Sequence, residues 1–192
     1  MNQTIQRCKE SERINNLNQT YLELIQHLHW NQLNTQAHTL LGLDDELIEK
    51  ISRLSAKDRD ALVQARGTTL FKLCIDEQVL QRVQADQQER KQQPLGEFFS
   101  SNALLLEISA APARAMIRII LNEIVNWHTF SASTAYRFCC EQVLIDQIST
   151  LDSTSLLELA IHPDTRLEPS FNASHVQAIG KTGLVPVALM FA

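Results

Sequence analysis

A mainly α-helical fold, made of two helical units in tandem with short strand segments, follows from three features of the sequence. Leucine, isoleucine, glutamine and alanine are common while glycine and proline number five each, a helix-forming composition. Apolar residues recur at helical spacing over most of the chain. The third feature is an internal repeat. Residues 46–54 read Glu-Leu-Ile-Glu-Lys-Ile-Ser-Arg-Leu and residues 143–151 read Val-Leu-Ile-Asp-Gln-Ile-Ser-Thr-Leu. Five of these nine positions are identical, and the offset of 97 residues is about half of the 192-residue chain.

The match continues at that offset without a gap. Upstream, Leu22 faces Ile119, Leu24 faces Leu121, Leu28 faces Val125, and Trp30 faces Trp127, the two tryptophans of the chain. Downstream, Leu62 faces Leu159, Thr68 faces Thr165, Leu70 faces Leu167 and Val79 faces Val176. The organisation read from this is a polar lead-in over 1–16, a first unit over 17–84 and a polar linker over 85–97. A second unit over 98–180 and an apolar tail over 181–192 complete it.

Each element has a local reason. Asn18 to about Ala37 carries Tyr21, Leu22, Leu24, Ile25, Leu28 and Leu33 on one broad face, a helix. Gly42 suits a left-handed helix stop and Asp44 caps the next helix, Asp45–Leu54. Ser55 caps a further helix to Ala65, with Asp58 in its first turn and Gly67 as a left-handed stop. In the second unit Asp152 stands in the place of Ser55, and Asp164 in that of Gly67. Thr68–Ile75, with Leu70, Phe71, Leu73 and Ile75, reads as a short strand, and Asp76 caps the helix after it. That helix grows polar through 84–93 and meets Pro94. Beyond Glu97 the chain is much more apolar, with Pro112 expected to bend or break it, and the closing run Leu184–Ala192 is almost wholly apolar.

Hydrophobic residues make up 44% of the chain, enough for one or two small cores. No apolar run reaches the length of a membrane span and no leader is read at the N-terminus, so no membrane contact is expected. Cys8, Cys74, Cys139 and Cys140 lack a disulfide-framework spacing, and a reducing cytoplasm is the simplest compartment. The net charge of −5 is shared unevenly, −1 over residues 1–96 and −4 over 97–192. A general attraction to nucleic-acid phosphate is therefore missing, and contact with DNA requires a local basic face or a basic partner.

A set of residues in the first unit carries a family resemblance. These are Asn18-Gln-Thr-Tyr21-Leu22-Glu-Leu24 with Gln26 and Leu28, then Leu41-Gly42-Leu43, Glu46-Leu47, Leu54, Leu62 and the extended segment ending at Asp76. Over roughly residues 15–85 this order and spacing resembles the FlhD family, the flagellar master-regulator subunit that activates transcription with FlhC. The resemblance implies intertwined, mostly α-helical dimers. It also implies an FlhC-like partner that supplies a zinc site and much of the DNA contact, with no cofactor in this chain. Such pairs also activate conjugative-transfer genes. Two departures stand out: family members are close to half this length, and Phe71 stands where flagellar members carry a cysteine, so no covalent dimer is expected there.

Together, repeat and resemblance describe two FlhD-like units joined as an intramolecular pseudo-dimer. Its expected interface is Tyr21, Leu22, Leu24, Leu28 and Trp30 against Ile119, Leu121, Val125 and Trp127. The basic residues worth testing for DNA contact are Lys50, Arg53, Lys57, Arg59, Arg66 and Lys72, on the helix pair of the first unit and the segment after it. Asp58 and Asp60 share that surface, and the equivalent second helix, Thr154–Ile161, has no basic residue, so an ordinary solvated face stands as the other reading. His27 and His29 are two apart and point to different sides of a helix, His38 and His128 complete no ligand set, and Cys139-Cys140 is not a Cys-x-x-Cys pair. No glycine-rich phosphate loop, Gly-x-Ser-x-Gly elbow or His-Glu-x-x-His occurs. The sequence reads as a non-enzymatic activator subunit, binding promoter DNA through its FlhC-like partner, with RNA polymerase as a further contact. The alternative is an interaction adaptor or anti-activator that does not touch DNA.

Overall fold

Helix punctuation appears where side chains satisfy the free backbone groups at helix ends. The computed structural model describes residues 2–64, 67–92, 111–128 and 133–182. The first half runs α1 (Asn2–Trp30), α2 (Asn34–Leu41), α3 (Asp45–Ser52), α4 (Ala56–Gln64), β1 (Phe71–Cys74) and α5 (Glu77–Gln92). The second runs α6 (Pro112–His128), α7 (Thr134–Arg137), α8 (Gln142–Ser149), α9 (Ser153–Ile161), β2 (Arg166–Pro169) and α10 (Ala173–Thr182). The architecture is mainly α, with one two-stranded antiparallel ribbon among the described residues.

The expected caps are present. Asp44 accepts the Leu47 N–H at 2.7 Å, Asp152 accepts the Ser155 N–H at 2.8 Å, and the Asp76 carboxylate accepts the Gln78 N–H at 2.8 Å. Ser55 Oγ accepts the Asp58 N–H and donates to the Asp58 carboxylate. Gly42 ends α2 at φ +59, where an added Cβ would lie 3.2 Å from the Leu167 carbonyl oxygen. Pro112 begins α6, a position where its missing N–H costs nothing.

The two halves repeat one another's element order. Asp45–Ser52 recurs as Gln142–Ser149 and Ala56–Gln64 as Ser153–Ile161, both at an offset of 97 (45 to 142, 56 to 153). Cys139, which stands at the Gly42 position, is likewise left-handed, at φ 52. The first helices follow a different register. Ile14, Leu17, Asn18, Tyr21, Leu22, Ile25 and Leu28 are buried, and Ala113, Met116, Ile117, Ile120, Leu121, Ile124 and Trp127 are buried at an offset of 99.

That two-residue shift corrects part of the ungapped alignment. Trp127 takes the place of Leu28 in the core and packs edge-on to Phe138, ring centroids 5.7 Å apart. Trp30, its expected counterpart, is the last residue of α1 and is 68% exposed. Ile119 takes the place of outward-facing Thr20 and is 46% exposed.

Other expectations are corrected too. Residues 2–16 are the first half of α1 rather than a separate lead-in, and Ile14 is fully buried. The first helix does not reach Ala37: Gln32 adopts φ 58 and the chain restarts as α2. Neither Gly67 nor Asp164 is left-handed; among the described residues only Gln32, Gly42 and Cys139 are. Glycine at 67 serves close approach, since Arg137 Nη1 lies 3.0 Å from where a Cβ would sit. The expected linker is α5 as far as Gln92. Residues 93–110 and 183–192, including Leu104–Leu106 and the apolar tail, lie outside the described residues.

Packing interlocks the halves. β1 pairs with β2 in the register Phe71↔Pro169, Lys72↔Glu168, Leu73↔Leu167 and Cys74↔Arg166. Pro169 falls opposite Phe71 at a non-hydrogen-bonded position, because the neighbouring Ser170 N–H donates to the Leu70 carbonyl. Helix α10 of the second half packs on α3 and α4 of the first, and α5 of the first half packs on α9 of the second. Helices α1 and α6 meet between them, and buried side chains of both halves form one continuous core.

Polar side chains fasten the packing, two of them within a half and one across the halves. Asn18 donates to the Thr68 carbonyl at 3.0 Å and accepts the Leu70 N–H at 2.7 Å. Arg114 does comparable work in the second half, donating to the carbonyls of Ala160, His162 and Thr165. Gln87 of α5 donates to the Thr150 carbonyl and accepts from the Asp152 N–H and the Ser155 hydroxyl at the start of α9. Losing the Gln87 amide leaves several of these groups unsatisfied, at about 1–3 kcal/mol. Gln87→Ala is therefore expected to lower the urea midpoint with an unchanged slope, while Gln88→Ala, at an exposed position of the same helix, stays within about 0.5 kcal/mol of the parent.

Candidate functional site

The helix pairs α3–α4 and α8–α9 are equivalent in sequence position but present different chemistry. On α3, Lys50 pairs with Glu46 at 2.6 Å and Arg53 pairs with Glu49, both one helical turn apart. Arg59 turns inward and donates to the Gln26 amide oxygen, while Gln26 donates to the Ile51 carbonyl at 3.0 Å. Lys57 is exposed, with no ion pair among the described residues. Lys72 projects from β1 onto Glu168 of β2, 2.9 Å away. Arg66 lies outside the described residues.

The six basic candidates therefore do not form one free cationic patch. Lys50, Arg53 and Lys72 are each matched by a carboxylate, and Arg59 serves a buried amide. The intervening acids were visible in the sequence; the inward turn of Arg59 was not, since its partner Gln26 sits 33 residues away.

In the second half the ion pairs of α3 have no equivalent. Val143 stands where α3 has Glu46 and is 65% exposed; Gln147 stands where it has Lys50. Asp146 is held by Gln142 at 2.7 Å and by His128 at 3.0 Å, and these two bonds keep its carboxyl below its ordinary pKa. On α9, burial raises the pKa of Glu158 while Arg90 of α5 opposes the rise, donating to it at 2.7 Å.

Most of the expected interface is internal. Tyr21, Leu22, Leu28, Leu121 and Trp127 are buried, and Leu24 and Val125 are partly so. Tyr21 packs on Phe71 with ring centroids 4.9 Å apart. Burial pushes its phenol well above the ordinary value. Trp30 and Ile119 face outward for the reason of register given above. Two of the polar contacts between the halves, those of Gln87 and Arg90, were hidden in what reads as a linker. Their signal was the continuation of the Val79, Leu80, Val83 face by an amide one turn on.

Beside the ribbon lies a groove of about 690 Å³, bounded by the Lys72–Asp76 segment, the α7–α8 connection and the start of β2. Cys74, Cys139 and Cys140 line it. Burial pushes the Cys140 thiol up to about 11 and raises that of Cys74. A thiol held up in this way is a poor nucleophile near neutral pH. No group of His, Cys, Asp or Glu suited to a metal ion occurs among the described residues, and no helix there is long and apolar enough to cross a membrane.

Comparison with protein-family models, with curated proteins and with solved structures finds no match for the chain.

The Lys72–Glu168 pair across the ribbon has a pH signature. The bond from Lys72 holds the Glu168 carboxyl below its ordinary value, and the same bond raises Lys72. A carboxyl depressed by folding adds stability above its unfolded pKa of about 4.3, and that stability is lost as pH falls through the folded value. Both side chains are partly exposed, at 30% and 49%, so the contribution stays below about 1 kcal/mol. Glu168→Gln is expected to lower the urea midpoint slightly at pH 7 and to converge on the parent as pH falls through the folded pKa of Glu168.

Proposed function

We propose that this chain is an FlhD-like transcriptional activator subunit in which a duplicated unit forms the family's dimer within one polypeptide. It acts in a complex with an FlhC-like DNA-binding partner at flagellar or conjugative-transfer promoters. The observation that carries this reading is the exchange of elements: each half lends its strand and last helix to the other. That is the packing expected of intertwined dimers drawn on a single chain. The recurrence of the left-handed stop at Gly42 and Cys139 supports the duplication.

In this reading the mechanism is assembly. The fused scaffold holds two unequal surfaces at fixed spacing, and a subunit with unequal faces seats one partner in one orientation. Zinc belongs to the partner, and RNA polymerase is a second contact once the complex is on the promoter. The compartment is the cytoplasm. No step of bond making or breaking is assigned to the chain.

A second reading, an adaptor or anti-activator that never touches DNA, is favoured by the pairing of Lys50, Arg53 and Lys72 with carboxylates. The two separate in a gel-shift titration with the FlhC-like subunit encoded nearest to this chain. The purified chain is expected to shift promoter DNA weakly and the complex strongly. Joint Arg53→Glu and Lys57→Glu substitution reduces the complex's affinity and its salt slope under the activator reading. It leaves both unchanged under the adaptor reading. Tight, sequence-specific binding by the chain alone contradicts the proposal.

A further inference from the structure

Where α5 of the first half packs on α9 of the second, the crossing leaves a cleft of about 420 Å³. That volume is in the range of small-molecule sites, which favour junctions between packed units. Val79 and Val83 of α5 and Ile161 and Pro163 at the end of α9 give the cleft an apolar surface. The matching crossing of the other halves, α10 on α4, has Ala61 at the place of Glu158. The charged cleft therefore belongs to one crossing of the two.

Three charged side chains complete its lining: Arg82, Asp86 and Glu158. Arg82 and Asp86 stand one helical turn apart on α5, a spacing at which opposite charges commonly pair. Such pairs close on α3, between Lys50 and Glu46 and between Arg53 and Glu49. On α5 the pair stays open, and neither Arg82 nor Asp86 forms an ion pair or hydrogen bond among the described residues. Glu158 gives one oxygen to Arg90 at 2.7 Å, and its other oxygen is buried without a hydrogen-bond partner there. Burial raises its pKa, and Asp86 adds to the rise against the pull of Arg90. An adjoining recess of about 330 Å³ shares Val79, Arg82 and His162 with the cleft but not Asp86 or Glu158. The guanidinium and the two acids thus mark opposite ends of the cleft.

We propose that this cleft binds a small zwitterion with an apolar side chain, an α-amino acid. Its carboxylate pairs with Arg82, its ammonium group with Asp86 beside Glu158, and its side chain covers the apolar surface. A simple anion would meet the acids and a simple cation would meet Arg82, so a ligand with both poles is matched where neither alone is. Because α5 and α9 belong to different halves, an occupied cleft ties the halves together and stabilises the shared core. The site goes beyond the activator reading and does not depend on it.

The test is isothermal titration calorimetry of the full chain with L-valine, L-leucine and L-phenylalanine, each at up to about 10 mM. Saturable binding of at least one is expected. For the tightest of them, the amide that replaces the carboxylate and the acid that lacks the amino group are each expected to bind at least about tenfold more weakly. Arg82→Gln and Asp86→Asn, at an exposed and a half-buried position, are each expected to weaken the amino acid by the same factor. Their urea midpoints without ligand report that both variants fold. Glu89→Gln, exposed on α5 and outside the cleft, leaves binding unchanged. The amino acid is also expected to raise the urea midpoint of the parent more than that of Asp86→Asn. Absence of saturable binding by all three amino acids overturns the proposal. So do equal binding of the amide or of the acid, and undiminished binding by either substituted chain.

Discussion

The pairing of β1 with β2 brings Cys74 beside Arg166, 92 positions away in the sequence, and the rest of the architecture follows from that closure. Fixing two points so far apart costs loop entropy of the order of 4 kcal/mol. The ribbon alone cannot offset this, since isolated two-stranded pairs are marginal in water. What offsets it is the apolar surface the crossing buries. Phe71, Leu73 and Leu167 are all buried, each contributing about 1.5–3 kcal/mol. Because the strand of each half and the helix after it seal the other half, neither half has a complete core of its own.

Around this shared interior the two outer faces differ. The first half keeps ion pairs along α3 and two buried amides on α1, Asn18 and Gln26. The second half has Ile117 and Val125 at the corresponding positions of α6 and an exposed valine on α8. Arg114 replaces what the amide of Asn18 does for the chain entering the strand. Equivalent interior positions of the two halves are served by different residues, and the surfaces differ in charge and polarity.

Local chemistry was legible in the sequence and long-range register was not. Asp44, Ser55, Asp76 and Asp152 cap helices as their spacing implied, because a cap depends on three or four neighbouring residues. The 97-residue offset held for α3 and α4, where the turn between them fixes the phase. It failed for the first helices, because a leucine-rich face aligns with another aliphatic face at more than one shift. Leu22 opposite Ile119 looked as good as Leu22 opposite Leu121, and only burial separates them. Gln87 and Arg90 escaped notice because buried polar groups carry no hydrophobic signature; their partners Thr150, Ser155 and Glu158 lie more than sixty residues on. The pairing of basic residues on α3 was readable from the i, i+4 acids, whereas the groove beside the ribbon is lined from segments that only the distant strand pairing brings together.

Interlocking is tested most directly by native-state hydrogen exchange of the intact chain under increasing urea. The informative amides are those of Leu47, Ile48 and Ile51 in α3 and of Ile145 and Ile148 in α8, all at buried residues of opposite halves. If the halves complete one another, both sets exchange through one global unfolding and their isotherms converge on a single free energy and slope. Persistent protection of α8 after α3 has opened, with the isotherms separated by more than about 1 kcal/mol, would show two independent cores and contradict it.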